Sequence, residues 1–134
     1  MFMSKYEIQT YDILRIFTGF LFLWHGSQKF FNFPPSGHEI PMSTAIIIGG
    51  TVELLGGLLV MFGLFTRWTA FIASGEMAYA YWTVHGIKAV LPIVNMGELA
   101  ILYCFLFLFI SAKGPGNFSI DHLLMGKKET KLKE

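Results

Sequence analysis

Charge is scarce in this sequence. Asp, Glu, Lys and Arg together make up 14% of 134 residues, against about 25% in soluble globular chains. The formal net charge is +1, and no basic stripe with interleaved aromatics occurs, which excludes a nucleic-acid partner. Cysteine is nearly absent: Cys104 stands alone inside an apolar run, so one chain can build no disulfide, CxxC pair or thiolate metal site. No helix carries a His or acid pair at ligand spacing beyond Asn95 and Glu98, so no metal is expected. Phosphate loop, nucleophile elbow, and flavin or haem motif are likewise missing. A small-residue cleavage site is also lacking near the start, where Glu7 and Asp12 precede the first apolar run. That start reads as an uncleaved helix and not a signal peptide.

What the sequence has in abundance is apolar length, with 54% hydrophobic residues. The run Ser43 to Phe65 contains a single charge, Glu53, and is long enough as a helix at ~1.5 Å per residue to cross a hydrocarbon core of ~30 Å. Gly49, Gly56 and Gly63 recur at every seventh position, and Glu53 falls between the first two on the same face. Small residues on one face let helices approach closely in lipid, so these three glycines are the expected packing positions. Glu53 is then expected to point into a bundle, because a carboxylate facing acyl chains is costly.

Three further spans flank this one, giving about 11–31, 43–65, 67–84 and 94–112 in one domain, 1–126, followed by a charged tail, 127–134. The first follows a capping-box pattern, Ser4-x-x-Glu7, and carries a stripe of Arg15, Thr18, Phe22, His25 and Lys29, flanked by Gly19 and Gly26. Pro-Pro and Ser-Gly mark 32–41 as a loop, and the short turn at Phe65–Arg67 makes spans two and three antiparallel neighbours. Span three has a small and polar face of Thr69, Ala73, Glu76, Ala80 and Thr83. In span four, Asn95 and Glu98 have the spacing of an N-cap and its N3 partner. The expected fold is all-α: a four-helix transmembrane bundle. Eight of the ten basic residues, Arg15 and Arg67 among them as surface anchors, fall on the side of the two termini. Both termini are therefore expected in the cytoplasm, with the protein in the plasma (inner) membrane if the cell is prokaryotic.

Counting residues along each span gives depth. Glu53 and Glu76 lie near mid-span, and His25 lies ~5 Å outward of it. Lys29, His85, Asn95 and Glu98 lie nearer the outer surface. If the polar faces meet, they form a seam that opens outward, with His25, Glu53 and Glu76 placed for proton exchange and Lys29, His85, Asn95 and Glu98 for substrate binding. By depth alone His25 is the nearest expected partner of Glu53, which is expected to be either protonated or sharing a proton with His25 at neutral pH.

Taken in order, Arg15-x-x-x-Gly19, His25-Gly26-x-x-Lys29-Phe30, Glu53-x-x-Gly56-Gly57, Gly63, Arg67, Asn95-x-Gly97-Glu98 and Gly114-x-Gly116-x-x-Ser119-x-Asp121 resemble the DoxX family of small membrane proteins. The resemblance covers about residues 12–121 and implies four transmembrane helices. Some members of that family are associated with thiosulfate:quinone oxidoreduction, others with thiol or oxidative-stress defence. With the buried acids and imidazole, this implies a membrane redox component that binds a quinone, working as a subunit beside a redox partner or soluble enzyme. Two non-enzymatic readings compete: an oligomeric transporter of small solutes or protons, and a membrane scaffold that docks soluble enzymes through the basic tail. Four spans are few for a transporter, so that reading needs a homo-oligomer.

Overall fold

The computed structural model describes residues 2–37 and 40–131, with side chains to residue 126. His38 and Glu39 of the predicted loop, and the side chains of the charged tail, lie outside the described residues. Among the described residues every regular element is helical. A 3-10 turn, Ser4–Tyr6, leads into α1, Glu7–Phe31. The predicted capping box does not start this helix. The cap position is Tyr6, without a side-chain cap, and the Glu7 carboxylate instead meets Lys113 Nζ at 2.8 Å. Asn32, in the left-handed region at φ 49°, ends α1 by donating its N–H to Gln28 O.

The second helix, α2, covers Thr44–Phe62; among the described residues it alone is long and apolar enough to cross a membrane by length and composition. Ser43 caps it by accepting from Ile46 N–H at 3.3 Å. Gly63, at φ 69°, ends it. The third, α3, covers Thr66–Ala80 and runs on through a widened π turn, Tyr81–His85. A single helical turn, Pro92–Asn95, precedes α4, Glu98–Lys113. The predicted fourth span therefore starts late, because Met96 at φ 59° breaks the helix after one turn. A further helix, α5, Ile120–Lys131, occupies a stretch not anticipated as helical.

The helices pack as two hairpins, α1 with α2 and α3 with α4. The first is closed by glycines other than the predicted three. A Cβ on Gly57 would lie 2.6 Å from Leu23 N and 2.8 Å from Gly19 O, and one on Gly19 would lie 2.5 Å from Met61 N. Gly26 faces Gly50 O and Leu54 in the same way. By contrast, a Cβ on Gly56 would meet nothing nearer than Thr69 Cγ2 at 3.6 Å, and Gly63 serves as a helix end. The contact face of α2 is thus turned one residue from the predicted one. Between the hairpins Phe22, Val60, Phe107 and Ile110 are wholly buried, with the Phe22 and Phe107 rings 4.6 Å apart. The outside is apolar: Phe17, Trp68, Ile72, Leu102 and Phe105 are all more than half exposed, as suits contact with lipid.

A polar knot closes the end that carries the N-terminus and the α2–α3 turn. Arg15 was expected as a surface anchor but is fully buried. Its guanidinium donates to Val60 O at 2.5 Å, Met61 O at 2.9 Å and Phe118 O at 2.5 Å. One planar fork thereby ties together three carbonyls, two at the end of α2 and one in the 114–119 segment. Asp12, also fully buried, accepts from Asn117 and Phe118 N–H. Asp121 caps α3 across the sequence, accepting from the N–H groups of Phe65 and Thr66 at 2.9 Å. Arg67 donates to Ser111, Ala112 and Lys113 carbonyls and so caps the C-terminal end of α4.

Candidate functional site

At the other end the hairpins stand apart around a cavity of about 370 Å³. Its walls are mainly apolar, from Phe22, Met77, Ala80, Leu99 and Ala100. His25 and Lys29 of α1, Glu53 of α2 and His85 at the end of α3 bring polar atoms to it. The stripe on α1 is what the helical repeat demands: Phe22, His25 and Lys29 follow at three and four residues and so line one wall.

Glu53 sits in a widened π turn, Val52–Gly56, within α2. Such turns are rare in helices and recur at functional sites. Its partner is Lys29, not His25 as depth alone predicted. The Lys29 ammonium lies 2.7 Å from both carboxylate oxygens, and the Glu53 side chain is only 5% exposed. The correction follows from side-chain length, since a lysine near the helix end carries its charge back along the stem to a deeper acid. His25 contributes to the same cavity without touching the pair, its ring edge-on to Tyr103 with centroids 6.1 Å apart.

Glu76 approaches from α3. One of its oxygens, Oε2, is buried with no hydrogen-bond partner among the described residues. The other lies where a side chain on Gly49 would be: a Cβ there would come within 3.1 Å of Glu76 Oε1 and 3.6 Å of Lys29 Nζ. Gly49 therefore makes room for charge and does not mediate backbone contact between helices. Two carboxyl groups and one ammonium share this space, enough to bind, hold or pass a proton.

His85 reaches the cavity because the widened turn Tyr81–His85 ends α3, and its Nδ1 lies 3.0 Å from Asn95 O. Asn95 is buried, but its amide is committed to the protein. It donates to Ala89 O at 2.8 Å and to Tyr81 Oη at 3.3 Å, and it accepts from Gly97 N–H at 2.7 Å. It holds the 86–97 segment over the cavity and has no free group for a ligand. Glu98 is exposed and does not line the cavity, because the break at Met96 makes it the first residue of α4. Tyr103 does line the cavity and was not anticipated; in an unbroken apolar run nothing separates it from the lipid-facing aromatics. No group of three or more His, Cys, Asp or Glu that could hold a metal ion occurs among the described residues.

Comparison with known proteins adds a family. The DoxX family model matches residues 11–86, which include most of α1 and all of α2 and α3. An uncharacterized protein of Haemophilus influenzae is 38% identical over 93% of this chain and 98% of its own length. CatD of Bacillus subtilis, provisionally named an oxidoreductase, is 30% identical over 93% of this chain and 94% of its own. The inner membrane protein YqjF of Escherichia coli is 37% identical over 57% of this chain and 58% of its own. No solved structure matches. The extent of the family match and the near full-length relatives agree with the ordered motifs from Arg15 to Asp121, and the chain belongs to the DoxX family of membrane proteins.

Proposed function

We propose that the four long helices cross the bilayer as two antiparallel hairpins with both termini in the cytoplasm, and that the cavity between them receives a quinone or a similar lipophilic acceptor and exchanges protons with it. The observation that carries this reading is the cavity itself. Its volume, about 370 Å³, lies in the ~300–1,000 Å³ range of small-molecule sites. Its walls suit an apolar ring, and its polar groups gather where a ring's carbonyl oxygen would need donors. The names of CatD and YqjF, an oxidoreductase and an inner membrane protein, point the same way.

A quinone supplies two carbonyl oxygens that accept hydrogen bonds and, on reduction, take up a proton for each electron. In this reading one oxygen takes hydrogen bonds from the His25 ring and the Tyr103 hydroxyl, supported by both side chains lining the cavity with their rings edge-on. The Lys29 ammonium offers a second donor, held in place by Glu53. Glu53 and Glu76 are the groups positioned to pass protons on to His25 or Lys29. Electrons come from a redox partner subunit or a soluble reductant.

Photo-crosslinking with an azido-quinone in nanodiscs tests the reading. Adducts are expected on α1 between Phe22 and Lys29 and on α4 near Tyr103, competed by unmodified short-chain quinone and weakened in His25→Gln. Adducts confined to lipid-exposed residues such as Phe17 and Phe105, unaffected by competitor, would defeat it.

A further inference from the structure

The two ends of the bundle are built differently, and the geometry points to one-sided aqueous access: protons and small water-soluble co-substrates reach the cavity only from the face of the 32–41 loop, past Lys29. This rests on the membrane-spanning placement proposed above and adds which side serves the site. Lys29 is the connecting residue. It lines the cavity between the hairpins and also a wide recess at the loop face, beside Gln28, Asn32, Pro35 and Ile40. Its side chain is 21% exposed, whereas the Glu53 side chain it grips is 5% exposed. One side chain therefore runs from the loop-face recess to the buried acid, its ammonium 2.7 Å from the carboxylate. Beyond it lie the other ionisable groups that face the cavity or the ion pair: His25, His85 and Glu76, the last with a buried oxygen lacking a partner.

The opposite direction is closed twice. Phe22, on the cavity wall, and Phe107, Val60 and Ala73 are all 0% exposed and belong to one packed apolar core layer that adjoins the cavity. Arg15, Asp12 and Thr66 are also 0% exposed: Arg15 donates to the Val60 and Phe118 carbonyls, Asp12 accepts from Asn117 N–H, and Thr66 N–H donates to the Asp121 carboxylate. Water that entered there would have to break a charged hydrogen-bond network and then part the aromatic layer. At the loop face it needs only to pass Lys29, a partly exposed side chain that lines both the loop-face recess and the cavity.

Sided thiol labelling in a Cys104→Ala background tests this without any quinone. A membrane-impermeant methanethiosulfonate is applied to intact cells and to inverted vesicles, and Ser36→Cys defines the loop face. Ala80→Cys and Ala100→Cys, on the two helices of the α3–α4 wall, should react from the Ser36 face at least about tenfold faster than from the other, a rate factor equal to ~1.4 kcal/mol of access barrier. Ala73→Cys, in the sealing layer, should stay silent from both faces. Equal rates from both faces, faster reaction from the far face, no reaction from either, or far-face labelling of Ala73→Cys would each overturn the inference. Failure of the azido-quinone experiment with labelling still one-sided would remove the ligand and leave the access route standing.

Discussion

Gly56 and Gly57 are neighbours in sequence with opposite surroundings, which allows a sharp test of how the first hairpin packs. Alanine at either position gains the same ~0.8–1 kcal/mol of helix propensity over glycine, so the difference between the two variants isolates the steric contribution. At Gly56 the new methyl would sit 3.6 Å from Thr69 Cγ2, an ordinary contact. At Gly57 it would sit 2.6 Å from Leu23 N and 2.8 Å from Gly19 O, both backbone atoms of α1 that no rotamer change can move. The helices must part by roughly an ångström, which also pulls on the backbone of α2 near Glu53. Overpacking of this kind costs about 1–3 kcal/mol. For a chain of this length that is a melting difference of roughly 3–12 °C. Thermal unfolding of both variants in one mild detergent at one scan rate, followed by tryptophan fluorescence, measures it. Gly57→Ala should melt below Gly56→Ala. If Gly57→Ala melts at the same temperature or higher, the α1–α2 contact does not run through Gly57 and the packing described above is wrong.

Two other substitutions report on the buried charges. Lys29→Met strands the Glu53 carboxylate and should destabilise by about 1–3 kcal/mol, whereas Lys29→Met with Glu53→Met removes both charges and should recover most of that loss; a double variant no more stable than the single would show that the pair is not the constraint. Arg15→Lys keeps the charge but cannot reach Val60, Met61 and Phe118 carbonyls with one fixed fork. It should cost about 1.5–3 kcal/mol in detergent melting, and wild-type stability would mean that these carbonyls find other donors.

Much of the molecule is legible in one dimension. The helix segments follow from apolar runs punctuated by Pro-Pro, by the glycines at 63, 114 and 116 and by the Phe65–Arg67 turn, because backbone groups in an apolar setting must bond internally. Axial depth is legible too. Rise per residue is constant, so counting alone places Glu53 and Glu76 at similar heights and His25 and Lys29 outward of them. Rotation about the helix axis is less secure. The turns at Val52–Gly56 and Tyr81–His85 are widened, and the chain reverses at Met96, so faces extrapolated from a regular repeat come out displaced. The packing face holds Gly50 and Gly57 and not Gly49 and Gly56, a one-residue rotation already present before the widened turn, and the break at Met96 leaves Glu98 pointing outward.

Partner choice was decided only in three dimensions. Lys29 reaches Glu53 because its stem is long, and Arg15 is buried because α2 and the segment after α4 both leave carbonyls beside it. Asp121 caps a helix that begins 55 residues earlier. The sequence determined where the helical segments run and how far along each of them a residue lies, since hydropathy and rise are local properties. The tertiary structure decided which of them meet, because that depends on helix rotation, side-chain reach and the return of a distant segment to close one end of the bundle.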